Sequence, residues 1–570
     1  MKCFSRFSFW SLCLALHAVL QVVAPTGCEA KEGSPAFRAL YPDADLFLRS
    51  IHAAEQAKIS RQKVSGITVP HHLLAADLIA HAFRIAEGER YDKVIVLFPD
   101  HFKKARLPFA TTVRDFQTVF GVVRTHQVDA TRLLGHRGLV EASDLFEKDH
   151  GIGAILPYIR HFFPDVEIVP IAVAIRSLKA EWDQLVSALG GIVTDKTLIV
   201  QSTDFSHYLP PHEAAQFDQD VLNILSAGDL EAVANLVQAK HLDSRGAQYV
   251  QMRLQRDHFR SNPVVILNRN SQTYSDRTES ETTSYIVQIY PSRESKPVVR
   301  QYQDLSSKTY CFAGDTFFGR HMLDLLASAD RARRLLAEMK SALNGCPLIV
   351  NLEGVLVGEM PSNLGKTMLA MPATLAIEWL KSLNVVAVSV ANNHAMDLGE
   401  APFREMIDML AASGIRVLRH GDVQDLGPFR AVALTDLNST GERRTDLISR
   451  DDIARLAQAS AAPPLFAFLH WGTEYDERPG ARELELVDGL RRSAVSLIVG
   501  AHPHRASQMI ESLAGGQAQL VYSLGNFLFD QRSELVSGAL LEVTMFDQGT
   551  FFTRLIPLPN FYKDSLRVAP

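Results

Sequence analysis

The chain is predicted to be α/β, in two successive domains. Three observations carry this. Its 570 residues exceed what one hydrophobic core usually organises. Short apolar runs alternate with amphipathic segments over most of the length. One polar stretch, from Ser292 to Lys308, interrupts that alternation and reads as an interdomain linker. The composition suits large cores, with 47% hydrophobic and 21% charged residues. The net charge of -6 brings no basic stripe, so no nucleic-acid partner is expected.

The N-terminus reads as an export signal, residues 1–30. Lys2 and Arg6 give a positive start, and Phe7 to Gly27 holds no Asp, Glu, Lys or Arg. Cleavage before Lys31 is one outcome. An uncleaved membrane anchor and lipid attachment at Cys28 are the others. Any membrane contact is expected through this segment alone. Of the 5 Cys, only Cys311 and Cys346 lie beyond it. In an oxidising compartment they would pair; as buried free thiols they would not.

In the first half, residues 31–298, the apolar runs are Gly66–Val69, Val94–Phe98, Ile168–Ala174 and Leu198–Gln201. Helical patterns at Leu74–Ile85 and Asp218–Leu225 lie between them. In open α/β sheets, functional residues gather just past the carboxyl ends of strands. Here the runs deliver His71 and His72, then Asp100 and His101, then Ser202, Asp204, Ser206 and His207. Glu147, Asp149 and His150 form a further polar cluster before an apolar helix.

After a linker at 299–308, the second half, residues 309–570, repeats the pattern more densely. Tyr310–Ala313 ends in Gly314 and Asp315, with Arg320 beyond. Pro347–Val350 ends in Asn351 and Glu353, and Val385–Val390 in Asn392, Asn393 and His394. Leu465–Leu469 ends in His470, Val495–Val499 in His502 and His504, and Gln519–Tyr522 in Asn526. A single His is ordinarily a hydrogen-bonded core or surface residue. Eight of the 20 His at strand ends are hard to explain that way. Carboxylates and amides are hard oxygen ligands, and neutral imidazoles hold Zn, Mn or Fe. The set suits hydrolysis at two metals, with a His giving a proton to the leaving group.

The second-half motifs Gly314-Asp315-Thr-Phe-Phe-Gly-Arg320, Asn351-Leu-Glu-Gly354, Ala391-Asn-Asn-His-Ala-Met-Asp397, His470-Trp-Gly472, Gly500-Ala-His-Pro-His504 and Tyr522-Ser-Leu-Gly-Asn-Phe527 resemble the CapA-like capsule-synthesis family, within the calcineurin-like metallophosphoesterase superfamily. The resemblance implies a four-layer αββα sandwich. It implies Asp315, Glu353, Asn393, His470, His502 and His504 as ligands of divalent Mn, Zn or Fe. It places His394 as the acid and Arg320 as a second catalytic residue. The Asp-x-His start of many superfamily members is absent, since Asp315 is followed by Thr316 and Phe317.

The first-half pieces Pro70-His71, Pro99-Asp-His101, Asp149-His150, Ser202-Thr-Asp-Phe-Ser-His207 and Thr283-Ser-Tyr285 resemble the MEMO-like family, the B component of the AmmeMemoRadiSam system, related in structure to class III extradiol dioxygenases. That resemblance implies His71 and His101 as ligands of iron or copper. A Cys of the eukaryotic relatives aligns with Ser206, so a metal would need Asp204, His207 or His150 in its place. Together the two resemblances imply an exported, periplasmic or envelope hydrolase acting on an envelope polymer, such as a poly-γ-glutamate-like capsule, or on a phosphoester. A binding or scaffold protein on enzyme-derived folds, and a redox protein working through the first half, are the alternatives.

Overall fold

The computed structural model describes residues 35–275, 280–292, 299–300, 307–438, 447–458 and 463–567. The signal expected at 1–30 lies outside the described residues, as does most of the expected linker. Of the expected linker 299–308, residues 299, 300, 307 and 308 are described; Lys308 already opens a strand of the second half, and Val299 and Arg300 pack on that half, with Arg300 also reaching Gln62 of the first. Val299 sits in the core of the second half, and the Arg300 amide donates to Glu542.

The first half is built on a sheet of 11 described strands. Its centre is parallel, with Val64–Val69, Thr197–Ser202, Lys93–Pro99 and Glu167–Val173 side by side. Thr282–Pro291 and Val264–Asn270 continue it antiparallel on one flank. The central strands are almost wholly buried, which is why they read as apolar runs rather than as alternating patterns. Side-chain alternation sends Val94, Val96 and Phe98 into one core with Ile79 and Phe83. Ile95 and Leu97 enter the opposite core with Trp182, Leu185 and Leu222. Helices therefore cover both faces.

The second half is an αββα sandwich, and the same alternation shows it. In strand Lys308–Thr316, Phe312 faces inward, while Cys311 and Ala313 face outward. The neighbouring strand does the same with Ile349 inward and Leu348 and Val350 outward. In the second sheet, Phe466, Phe468, Leu497 and Val499 meet Phe312 and Ile349 between the sheets. Leu465, Ala467, Leu469 and Ile498 point out under Leu486 and Leu490 of helix Ala481–Arg492. The outer face of the first sheet is covered by Leu335, Met339, Trp379, Met406 and Leu410 from three helices.

Cys311 and Cys346 are disulfide-bonded, with Cα atoms 6.0 Å apart. The parallel pairing of Cys311 with Leu348 sets Cys346 beside it. This resolves the choice between paired and free thiols. Among the described residues no helix is long and apolar enough to cross a membrane.

Candidate metal centres

The second-half centre forms where the carboxyl ends of both sheets meet. Asp315, fully buried, ends the first strand. Its Oδ1 accepts from Asn351 Nδ2 at 2.8 Å, and its Oδ2 from the His502 amide at 3.2 Å. His504 Nδ1 lies 3.1 Å from that Oδ2 and 2.7 Å from Asn526 Oδ1. His470 Nδ1 faces Asn351 Nδ2 at 3.1 Å, and its Nε2 faces Asn393 Oδ1 at 2.8 Å. Two groups of ligand atoms close on one another: Asp315, Glu353 and His504, and Glu353, His470 and His502. Glu353 is common to both.

His502 and His504 both sit at positive φ, 95° and 56°. Such backbone is costly for a side chain larger than glycine and gathers at functional sites. It turns both imidazoles of the His-x-His segment inward. Burial, then the Asp315 charge, raises the Glu353 carboxyl to about 8. Burial lowers His502 to about 4. For His504, burial works against the cation, but the Asp315 carboxylate outweighs it and raises the group to about 9. Glu353 Oε2 and His502 Nδ1 are buried without a hydrogen-bond partner among the described residues. A carboxylate oxygen and an imidazole nitrogen, both left without partners in one buried group of ligands, fit a cation.

His394 stands at the rim. Its Nδ1 pairs with Asp397 Oδ2 at 2.8 Å, and its Nε2 lies 3.8 Å from Glu353 Oε1. Burial opposes its charged form, but Asp397 and Glu353 raise it above the ordinary value. Arg320 is exposed. Asp530 takes its guanidinium through Nε at 3.1 Å and a second nitrogen, and Phe317 and Phe529 flank it. It reaches the centre only as a nearby positive charge on Glu353 and His394. Asp397 and Asp530, which hold the two expected catalytic groups, were not singled out in the sequence. In the sequence, Asp397 is marked only as the last residue of the motif Ala391–Asp397.

In the first half, His71, His101 and His150 form a third cluster. His71 and His101 come from successive strand ends, as expected, and His150 opens a short helix capped by Asp149. The expected ligand His207 stays outside the cluster of three. Its Nδ1 has no partner among the described residues, although its charge is felt by His71. Ser206, at the position aligned with the family Cys, turns away and donates to Asp218 Oδ1 at 2.8 Å. In its place stands a residue that sequence reasoning missed. Asp243 Oδ2 lies 3.3 Å from His71 Nε2 and 3.8 Å from His101 Nε2. Asp243 falls in a loop just before the N-cap Ser244, with no strand leading into it, so no periodicity marks it. Asp204 lies 3.5 Å from His71 Nε2, and its carboxyl is raised to about 8 by burial and then by Asp243. Burial also drives His71 well below the ordinary range. In His101 the carboxylates Asp149 and Asp243 overcome burial and raise the group to about 10.

Fold and site together define a two-domain α/β protein with a His- and carboxylate-lined centre at the strand ends of each half. The first half is a Memo-like domain: the model of the Memo-like proteins matches residues 40–287. In the second half, the model of the bacterial capsule synthesis protein PGA_cap matches residues 309–441 and 429–531. The PGA biosynthesis protein CapA of Bacillus subtilis (strain 168) is 28% identical over 176 residues, 27% of this chain and 46% of that protein. The capsule biosynthesis protein CapA of Bacillus anthracis is 26% identical over 207 residues, 32% of this chain and 49% of that protein. A MEMO1 family protein of Methanopyrus kandleri is 24% identical over 189 residues, 32% of this chain and 66% of that protein. The chain thus spans about half the length of the CapA relatives it matches.

Proposed function

We propose that the protein is an exported, metal-dependent hydrolase of phosphoester type, working through its second half on a cell-envelope or capsule polymer or its intermediates. The observation that carries this reading is the shared carboxylate. Glu353 belongs to both ligand groups, is buried, and keeps one oxygen without a partner among the described residues. Asp315 and His504 would hold one divalent ion with it, and His470 and His502 the other. Bound there, Mn, Zn or Fe would supply Lewis acidity and an activated water. Asn393 Oδ1, 2.8 Å from His470 Nε2, faces the same point and would serve as a further ligand of that second ion. Asp397 holds His394 with a proton available at Nε2, toward the side where a leaving group would sit. The Cys311–Cys346 disulfide supports an oxidising compartment, and so export. The names of the CapA relatives support an envelope polymer as the substrate class.

The test uses the full chain. Asp315→Ala and His502→Ala are each expected to lower the metal content found by elemental analysis. Each is also expected to abolish hydrolysis of bis-p-nitrophenyl phosphate. Metal content and turnover unchanged in both variants would remove the assignment.

A further inference from the structure

A cleft opens between the two halves, and none of the metal-ligand candidates lines it. Strand Phe551–Leu558 ends its sheet in the second half, paired with Gly538–Met545. Its outward amides are taken by helix Pro211–Ala227 of the first half. Phe551 donates to Gln219 Oε1 at 2.8 Å and Thr553 to Ser226 Oγ at 3.2 Å. The helix then stops at Gly228, which sits in the left-handed region at φ 63°. By strand alternation the next outward amide is that of Leu555. Here the helix no longer covers the strand, and a cleft of about 380 Å³ takes its place, with Leu555 in its wall.

Three guanidiniums line this cleft, and among the described residues no carboxylate does. Arg260 belongs to the first half. A π-helical turn, Gln255–Phe259, leads into it, and its amide donates to the Gln255 carbonyl. Such turns are rare and recur at functional sites. Arg260 itself is held at φ 50°, a backbone that costs free energy at so long a side chain. Arg300 and Arg554 are tied to one buried acid. Glu542 accepts the Arg300 amide at 2.9 Å and two nitrogens of Arg554 at 3.1 and 2.9 Å. The Arg300 guanidinium also donates to Gln62 Oε1 of the first half. Side chains ordered in this way lose little freedom when an anion arrives. The rest of the wall is partly apolar. Val264, Ile510 and Phe552 are buried there, and Met509 is left 63% exposed.

We propose that this cleft binds an organic phosphate, a doubly charged phosphate monoester that carries an apolar or ring-bearing group. Guanidinium forks match phosphate oxygens, and a phosphate monoester offers three of these where a carboxylate offers two. Val264, Ile510 and Phe552 receive the organic part. The site needs both halves, because Arg260 and Val264 come from one and Arg554 and Phe552 from the other. Clefts between domains are a common setting for small ligands. The inference rests on neither metal centre and not on the hydrolase reading.

The probe is phenylphosphonate, which carries a phosphate-like dianion on a ring and has no ester bond to cleave. It is titrated calorimetrically into the full chain stripped of metal with EDTA, above its second ionisation. One site is expected, at least about 10-fold tighter than for benzoate. Arg260→Asn and Arg260→Glu are each expected to weaken binding at least about 10-fold. Arg260 is exposed, and Asn tolerates left-handed backbone, so the fold should be kept. Asp315→Ala is expected to bind the probe as the parent does. No saturable binding by the parent, or parent affinity in both Arg260 variants, would overturn the proposal. So would benzoate binding as tightly as phenylphosphonate. Binding seen only with metal present would put the anion at the metal centres and overturn it as well.

Discussion

Asp218 is a carboxylic acid buried within the first half, where it accepts from Ser206 and from Asn268 Nδ2 at 2.8 Å. Burial raises it from 3.8 to about 6, although both hydrogen bonds pull the other way. The sign follows: the fold favours the protonated acid. Its contribution is complete below about pH 4 and is lost as pH rises through 6, about 3 kcal/mol in all. Asp218→Asn keeps the shape without the titration, so the denaturation midpoint of this variant should gain on the parent between pH 4.5 and 7. Parallel pH profiles would show that the group does not titrate there. His394 calls for a different readout. His394→Gln should lower turnover about 100-fold or more with metal content intact; loss of metal would make it a ligand. At this scale legibility depended on what preceded a residue. Asp315, His470 and His502 follow long apolar runs and announced themselves. Asp243 sits in a loop with no such lead and Asp530 follows only the short strand Asn526–Leu528, and the fold brings them to their partners.

The elements themselves were legible because buried parallel strands leave continuous apolar runs, and each expected run coincides with a strand. What the runs did not carry is how closely their ends approach. Gly314 lies at the register shift in strand Lys308–Thr316, one residue before Asp315. A Cβ there would stand 1.8 Å from the Gly525 carbonyl oxygen. The Asp315 amide donates to that same carbonyl at 2.9 Å. Backbone contact of this kind seats the first carboxylate against the turn that leads into strand Asn526–Leu528. Gly314→Ala must therefore push apart backbone segments that jointly hold the centre. A stability loss of more than about 3 kcal/mol is expected, read as lower Tm or lost soluble yield, together with weaker metal retention. Gly358 has nothing within 4 Å of its would-be Cβ, and Gly358→Ala should stay within about 0.5 kcal/mol of the parent. Equal behaviour of the two variants would mean that the close approach does not matter.

Across the whole molecule, the linker expected at 299–308 separates two domains along the sequence, and the two halves are joined by a built interface. Phe546 and Phe552 of the second half are buried in the core that holds Val221, Leu222 and Leu225 of helix Pro211–Ala227. Around them the hydrogen bonds cross in both directions. Gln219 bonds the Phe551 backbone at 2.9 and 2.8 Å, Asn223 Nδ2 donates to the Gly516 carbonyl at 2.6 Å, and Thr550 donates to Asn268 at 2.6 Å. None of this was readable in advance. Gln219 and Asn223 look like ordinary polar positions of an amphipathic helix, and only their partners distinguish them from a solvated face. The same helix holds Asp218, which accepts from Ser206 beside His207. Separating the halves would bare two phenylalanines and leave buried amides without partners, each a cost of about 1–3 kcal/mol. The full chain should therefore unfold in one calorimetric transition, and isolated 36–300 and 307–567 should each melt lower or precipitate. Asn223→Ala combined with Phe552→Ala should split the transition of the intact chain in two. Two transitions already present in the parent, at the temperatures of the isolated halves, would mean that the seam contributes no coupling.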